Sequence, residues 1–226
     1  DRTDKIGIGL LYAAVTHDIG WTILQEGKTM GLAPYGEKVN KQFYNFPHKF
    51  DGVITDYSDF CEDGNYNIKQ IHNKPVTFED KARAAYEVQE ECEKALLHLA
   101  NYAKKTGKRK LCISGGVGLN SVSNNKIRIN KPKIFDEIFI NPAASDTGIP
   151  FGAALYGYHV LGNKPINPKP LSPFLGPDYS TTDIEKSIKS YSDKENSFYV
   201  VKENSFEITS KLLKQNYIVA NFQGRS

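Results

Sequence analysis

The sequence is poor in cysteine: Cys61, Cys92 and Cys112 stand far apart, without a C-x-x-C pair. That excludes a disulfide framework and a cysteine-based zinc site, and it predicts reduced thiols in a cytoplasmic protein. Long apolar runs are absent as well. No stretch approaches the roughly 18 apolar residues that span a bilayer, and no signal-type apolar region follows the charged start Asp1-Arg2-Thr3-Asp4-Lys5. Neither a membrane partner nor secretion is expected. Charge of one sign is scarce too: a net +3 over 226 residues gives no ground for a nucleic-acid partner.

What is present describes a folded chain. Hydrophobic residues make up 39% and charged residues 24%, with 13 Tyr and 12 Phe, which rules out a disordered or fibrous class. The length exceeds one ordinary domain, so an internal boundary is expected. The proline-rich stretch from Gly162 to Pro177 supplies it. This predicts a domain over 1–162, a linker over 163–177 and the beginning of a second domain over 178–226.

Periodicity gives the elements. Ile6 to Leu24 reads as a helix, and the glycine-rich Gly27 to Gly36 reads as an irregular loop or a broken helix end that either holds a ligand or connects. Asp63-Gly64 between short aromatic runs predicts a hairpin over 57–61 and 66–71. Thr77, with Asp80 three residues on, opens a long amphipathic helix that ends near Lys105, before Gly107. Strand 110–114, a helix to Ile129 and strand 134–141 form a strand-helix-strand unit, which implies a parallel, buried sheet. A small-residue helix follows from Ile149 to Leu161. Beyond the linker, helices at 181–191 and 205–215 alternate with strands at 198–202 and 217–222. The fold class is α/β.

Two loops carry the chemistry. Leu111-Cys-Ile-Ser-Gly-Gly-Val-Gly-Leu-Asn120 is a strand running into paired glycines and then a helix start. Gly115 and Gly116 place no Cβ in a ligand's way, and Asn120 and Ser121 are suited to bond a sugar edge or to cap the next helix. The same pattern serves equally as a plain connection. Ten Lys or Arg residues and no acid lie between Lys94 and Lys133, which fits either a solvated basic face or a phosphate-bearing ligand. The second loop, Pro142 to Gly148, holds Asp146 beyond a strand's carboxyl end, where ligands of open α/β sheets collect. There the carboxylate either meets a cation or ribose hydroxyl, or caps the following helix.

Several longer strings together resemble the carbamoyltransferase family that includes nodulation and antibiotic-tailoring O-carbamoyltransferases. They are Leu10-Leu11-Tyr12, Lys28-Thr-Met-Gly-Leu-Ala-Pro-Tyr-Gly36, Ser114-Gly-Gly-Val-Gly-Leu-Asn120, Asn141-Pro-Ala-Ala-Ser-Asp-Thr-Gly148 with Gly152-Ala-Ala-Leu-Tyr156, Phe174-Leu-Gly-Pro-Asp-Tyr-Ser180, and Phe222-Gln-Gly-Arg225. They stand in the family's order along nearly the whole chain.

The resemblance implies an actin-like ATPase (ribonuclease H-like) domain, related to tRNA threonylcarbamoyl transferases, followed by the start of a carbamoyl-phosphate-handling α/β domain. It implies an enzyme that turns carbamoyl phosphate and ATP into a carbamoyl adenylate and passes the carbamoyl group to a hydroxyl acceptor. By position, Gly115, Gly116 and Asn120 match the nucleotide motif, and Lys28 and Gly31 match a loop near the nucleotide. Asp146 matches a ligand of a divalent metal, described in the family as iron. Arg225 matches a carbamoyl-phosphate-binding arginine, a role suited to its planar fork. The rival readings are a sugar-kinase-like phosphotransferase on the same fold and a non-catalytic nucleotide-binding module. A homo-oligomer is left open.

The departures are equally informative. The family's metal-binding His-x-x-x-His pair has no counterpart among His17, His48, His72, His98 and His159. The chain also starts without Met and stops at Gln223-Gly-Arg-Ser226, before the continuation that the family's motif carries. We therefore expect an internal fragment, inactive alone, with the histidine ligands upstream.

Overall fold

The computed structural model describes residues 5–62, 66–69, 74–166, 174–192, 204–220 and 224–225. These fall into two compact units, Asp1–Ile166 and Asn167–Ser226.

Helix α3, Phe78–Lys104, is the spine of the first unit. Its start is fixed by a capping box: the Asp80 amide donates to Thr77 Oγ1 and the Thr77 amide to Asp80 Oδ2. Ala84, Ala85, Val88, Cys92 and Ala95 form its buried stripe. Helix α1, Ile8–Asp18, lays Leu11 and Val15 against that stripe, with Ile19 just beyond its end. Each such side chain, fully buried, contributes about 1.5–3 kcal/mol. The helix expected over 6–24 is shorter because Gly20, at φ +100°, turns the chain away.

The expected loop 27–36 is more regular than its composition suggests. It forms α2, Glu26–Leu32, and a 3₁₀ turn, Ala33–Gly36. Packing on α3 overrides the low helix propensity of its glycines. Gly36 is needed there, since a Cβ on it would lie 2.0 Å from the carbonyl oxygen of Ala82.

A hairpin that the sequence did not predict lies upstream of the expected one. Strands β1, Lys49–Asp51, and β2, Ile54–Asp56, pair antiparallel. Gly52-Val53 makes this turn, with Gly52 at φ +57°. The expected hairpin is present as the antiparallel bridge of Cys61 with Ile68, flanked by backbone hydrogen bonds from the Glu62 amide to the Asn67 carbonyl and from the Lys69 amide to the Phe60 carbonyl, and its turn lies outside the described residues.

The strand-helix-strand unit follows: β3, Lys110–Ile113, a 3₁₀ turn, Gly116–Leu119, α4, Ser121–Ile129, and β4, Glu137–Ile140. The strands are parallel, in register from Lys110 with Glu137 to Ile113 with Ile140. Leu111, Ile113 and Ile138 face a small core of Ala100, Ile127, Ile134 and Phe135. After a 3₁₀ turn at Asp146–Gly148 comes α5, Ile149–Tyr156, which widens into a π-helical turn over Gly157–Leu161.

In the second unit, helices α6, Thr181–Ser192, and α7, Ser205–Lys214, occupy the expected places. The strand expected at 198–202 lies outside the described residues. Residues 217–220 form no strand, because no partner strand is paired with them among the described residues. The architecture is mixed α/β, with two two-stranded sheets among the described residues.

Candidate functional site

A cavity of about 700 Å³ opens in the first unit where α1, the start of α2 and the loops after β3 and β4 converge. Helix α1 contributes Gly9, Leu10, Tyr12 and Ala13, and α2 with its approach contributes Glu26, Gly27 and Met30. The Gly-Gly turn contributes Gly116, Val117, Leu119 and Asn120, and the β4 loop contributes Ser145 and Asp146. This lies within the usual size range of small-molecule sites.

Backbone bonds hold the two loops together. Gly115, at φ +101°, donates its amide to the carbonyl of Ala144 at 2.7 Å. Only glycine adopts that conformation without strain. The turn also packs closely on α1: a Cβ on Gly9 would stand 3.0 Å from Val117. In the β4 loop, a Cβ on Gly148 would collide with the Ala143 carbonyl at 2.1 Å. The glycines thus serve shape first.

A buried polar network forms the floor. Asn120 caps α4, its Oδ1 accepting from the Ser123 amide at 3.0 Å. Its Nδ2 donates to Gln89 Oε1 at 3.0 Å, and Gln89 Nε2 donates back at 3.3 Å. Tyr12 Oη donates to Gln89 Oε1 at 2.9 Å, and Ser123 Oγ lies 3.6 Å from Cys92 Sγ. Burial, with the neighbouring Cys92, Glu26 and Glu93 as lesser causes, raises the pKa of Tyr12 well above the ordinary tyrosine value. Burial likewise pushes the Cys92 thiol up to about 11. Neither group ionises near neutral pH, so the floor is neutral and Cys92 is no nucleophile.

The charged lining consists of two carboxylates, Glu26 and Asp146, and no Lys, Arg or His joins them among the described residues. Asp146 is not the cap of α5, because Gly148 occupies that position. No group of three His, Cys, Asp or Glu suited to a metal occurs among the described residues.

Of the residues singled out in the sequence, Gly116, Asn120 and Asp146 line the cavity, and Gly115 sits directly behind it. Asn120 contributes from the floor, with its amide fully engaged. Lys28 and Gly31 lie on the exposed side of α2, whereas their neighbours Gly27 and Met30 face the cavity. Arg225 belongs to the second unit, where its Nε donates to the Gly176 carbonyl at 2.7 Å. Sequence reasoning missed Tyr12, Glu26 and Gln89. Gln89 left a signal: it is a polar residue beside the apolar stripe of α3, between Ala85 and Cys92.

Residues 4–155 match the family model described as carbamoyltransferase N-terminus. An uncharacterized protein of Synechocystis sp. is 31% identical, over 96% of this chain and 38% of that protein. An uncharacterized protein of Methanocaldococcus jannaschii is 31% identical, over 96% of this chain and 37% of its own length. Nodulation protein NolO of Bradyrhizobium diazoefficiens is 29% identical, over 76% of this chain and 32% of its own. The chain thus spans about a third of the length of these curated relatives.

Proposed function

The chain belongs to the carbamoyltransferase family, and from that premise we propose that it forms the nucleotide-binding part of a larger O-carbamoyltransferase with an actin-like ATPase domain. In this reading water cleaves carbamoyl phosphate to carbamate and inorganic phosphate, and a carbamate oxygen bonds to the α-phosphorus of ATP as the α–β phosphoanhydride bond breaks, giving a carbamoyl adenylate and pyrophosphate. An acceptor hydroxyl then forms a bond to the carbamoyl carbon, the bond to AMP breaks, and the hydroxyl proton leaves. A small soluble hydroxyl compound is the acceptor class.

The observation that carries the reading is the cavity between the Gly-Gly turn and Asp146. Gly116 leaves its wall open, with nothing within 4 Å of where a Cβ would stand. Leu119, Met30 and Val117 offer apolar surface to a base. Asn120 acts here through the floor, holding the turn in place. The two carboxylates of the lining would repel a triphosphate unless a cation stood between. A divalent cation is commonly bound by one or two carboxylates together with substrate phosphates and water. Asp146, with Glu26 lining the same cavity, is suited to that share, and an iron site would draw its histidines from outside these residues. Arg225 is assigned to carbamoyl phosphate, its fork matching two phosphate oxygens. Lys28 and Gly31 are assigned to the outer approach.

The test uses the complete protein with carbamoyl phosphate, ATP and a panel of hydroxyl acceptors, followed by mass spectrometry and pyrophosphate release. Carbamoyl adenylate and a carbamoylated acceptor are expected. Transfer of the γ-phosphate with ADP as product would replace this reading with the phosphotransferase one.

A further inference from the structure

Six residues other than glycine have a positive φ among the described residues: Leu24, His48, Tyr66, Asn163, Asn204 and Asn216. Four of them are Asn or His, the types that enter the left-handed region most readily. Leu24, at +67°, and Tyr66, at +50°, are not, and a bulky side chain there crowds the backbone. Both of these outliers line the same cavity, the one shared by the Gly-Gly turn and Asp146. None of the other four lines it.

The chain on either side holds each of them in place. Leu24 takes the third position of a turn closed by the Gln25 amide, which donates to the Thr22 carbonyl at 3.3 Å. A positive φ at that position ordinarily calls for Gly or Asn. Two residues on, Glu26 starts α2 and shares the lining. Tyr66 stands just ahead of the bridge between Cys61 and Ile68, where the Glu62 amide donates to the Asn67 carbonyl at 2.9 Å. The fold thus fixes two unfavourable backbone conformations at one cavity, and strain of this kind collects where a ligand is clamped.

The surface so presented is apolar and aromatic. Leu24 is 88% exposed, and Ile23, also in the lining, is 56% exposed. Side chains this exposed gain little from the protein's own core, so packing does not offset the strain at Leu24. Leu24 and Ile23 offer nothing to a phosphate, whereas aliphatic and aromatic surfaces are what a flat heterocycle stacks on.

We propose that Leu24 and Tyr66 grip the purine base of the bound nucleotide, with Ile23 extending the aliphatic surface. The assignment rests on the nucleotide reading of this cavity and names the residues that hold its base. A planar base has two faces to remove from water, and an aliphatic side chain and a ring together suit both. Fixing them before the ligand arrives lowers the stability of the free protein but spares the complex the ordering of mobile side chains.

The experiment compares wild type with Leu24→Gly, Tyr66→Gly and Tyr66→Phe in the complete protein, by calorimetry with ATP and with adenosine. Glycine relieves the strain as it removes the contact. Each glycine variant should weaken ATP and adenosine by the same factor, about 10-fold, and melt at or above the wild-type temperature. Tyr66→Phe should bind both like wild type, because the ring and not the hydroxyl stacks. Unchanged affinity in either glycine variant overturns the proposal and leaves the nucleotide reading standing. So does a loss confined to ATP, or a wild type that binds ATP and ignores adenosine, since the cavity would then hold phosphates and not the base. Glycine variants that melt below wild type overturn it as well, because these residues would then serve packing. A wild type that binds neither ligand overturns the nucleotide reading itself, and the grip with it.

Discussion

The side-chain amides of Gln89 and Asn120 bond each other twice, Asn120 Nδ2 to Gln89 Oε1 at 3.0 Å and Gln89 Nε2 to Asn120 Oδ1 at 3.3 Å. The pair joins the middle of α3 to the first turn of α4, so the cavity floor depends on a residue outside its lining. Gln89→Ala should take the buried acceptor Oε1 away from Asn120 Nδ2 and Tyr12 Oη, at a cost of about 1–3 kcal/mol. Urea unfolding should show a lower midpoint with an unchanged slope. If the floor positions the nucleotide, ATP affinity measured by calorimetry falls too. Lost stability with wild-type affinity would show that the floor acts only in folding.

The paired glycines separate shape from binding. Gly115, at φ +101°, carries the turn, so Gly115→Ala should cost about 1–3 kcal/mol of strain. Gly116 has open space where a Cβ would stand and lines the cavity. Gly116→Val should therefore leave the melting temperature nearly unchanged and weaken ATP binding at least several-fold. Wild-type affinity in this variant would move the nucleotide elsewhere.

The local rules of the sequence carried much of this fold. The Thr77–Asp80 capping box set the start of α3, and strand, glycines, helix and strand gave the parallel β3–β4 unit because each obeys a short-range pattern. Tertiary packing decided the rest. Gly27 to Gly36 is helical although its composition favours a loop, because its glycines let it lie against α3. The expected hairpin is kept at Cys61 and Ile68, whereas the second one, β1 with β2, went unread because its strands are only three residues long. At the site, Gly116 and Asp146 were legible from their loops. Glu26 and Tyr12 were not, because their approach to those loops depends on how α1 and α2 cross α3.

Close approach makes Gly36 irreplaceable and leaves Gly31 free. A Cβ on Gly36 would meet the Ala82 carbonyl oxygen at 2.0 Å and its carbon at 2.4 Å, both rigid backbone atoms of α3. Gly36→Ala should thus destabilise by about 1–3 kcal/mol or more, the usual cost of overpacking. Gly31 stands in α2 with nothing within 4 Å. Gly31→Ala should stabilise by up to about 1 kcal/mol through helix propensity. A thermal melt of each variant decides, and equal shifts in one direction would contradict the packing of α2 on α3.

Acid should reveal the joint that Asp56 holds. Asp56 Oδ1 accepts from the Ser58 amide at 3.0 Å, and Lys5 Nζ lies 3.0 Å from Oδ2. Beside them, Ser58 Oγ accepts from the Ile6 amide, and the Tyr57 amide donates to the Ile6 carbonyl, so the carboxylate braces the entry to α1. Hydrogen bonds from Ser58 first, and the Lys5 ammonium after them, lower its pKa to about 2, against about 3.9 in an unfolded chain. A depressed acid contributes stability above the unfolded value and loses it as pH falls through the folded value. Wild type should therefore exceed Asp56→Asn in urea midpoint at neutral pH, with the gap closing between about pH 4 and pH 2. A gap that persists unchanged below pH 2 would mean that the variant's defect is steric and that the ionised carboxylate contributes nothing to this joint.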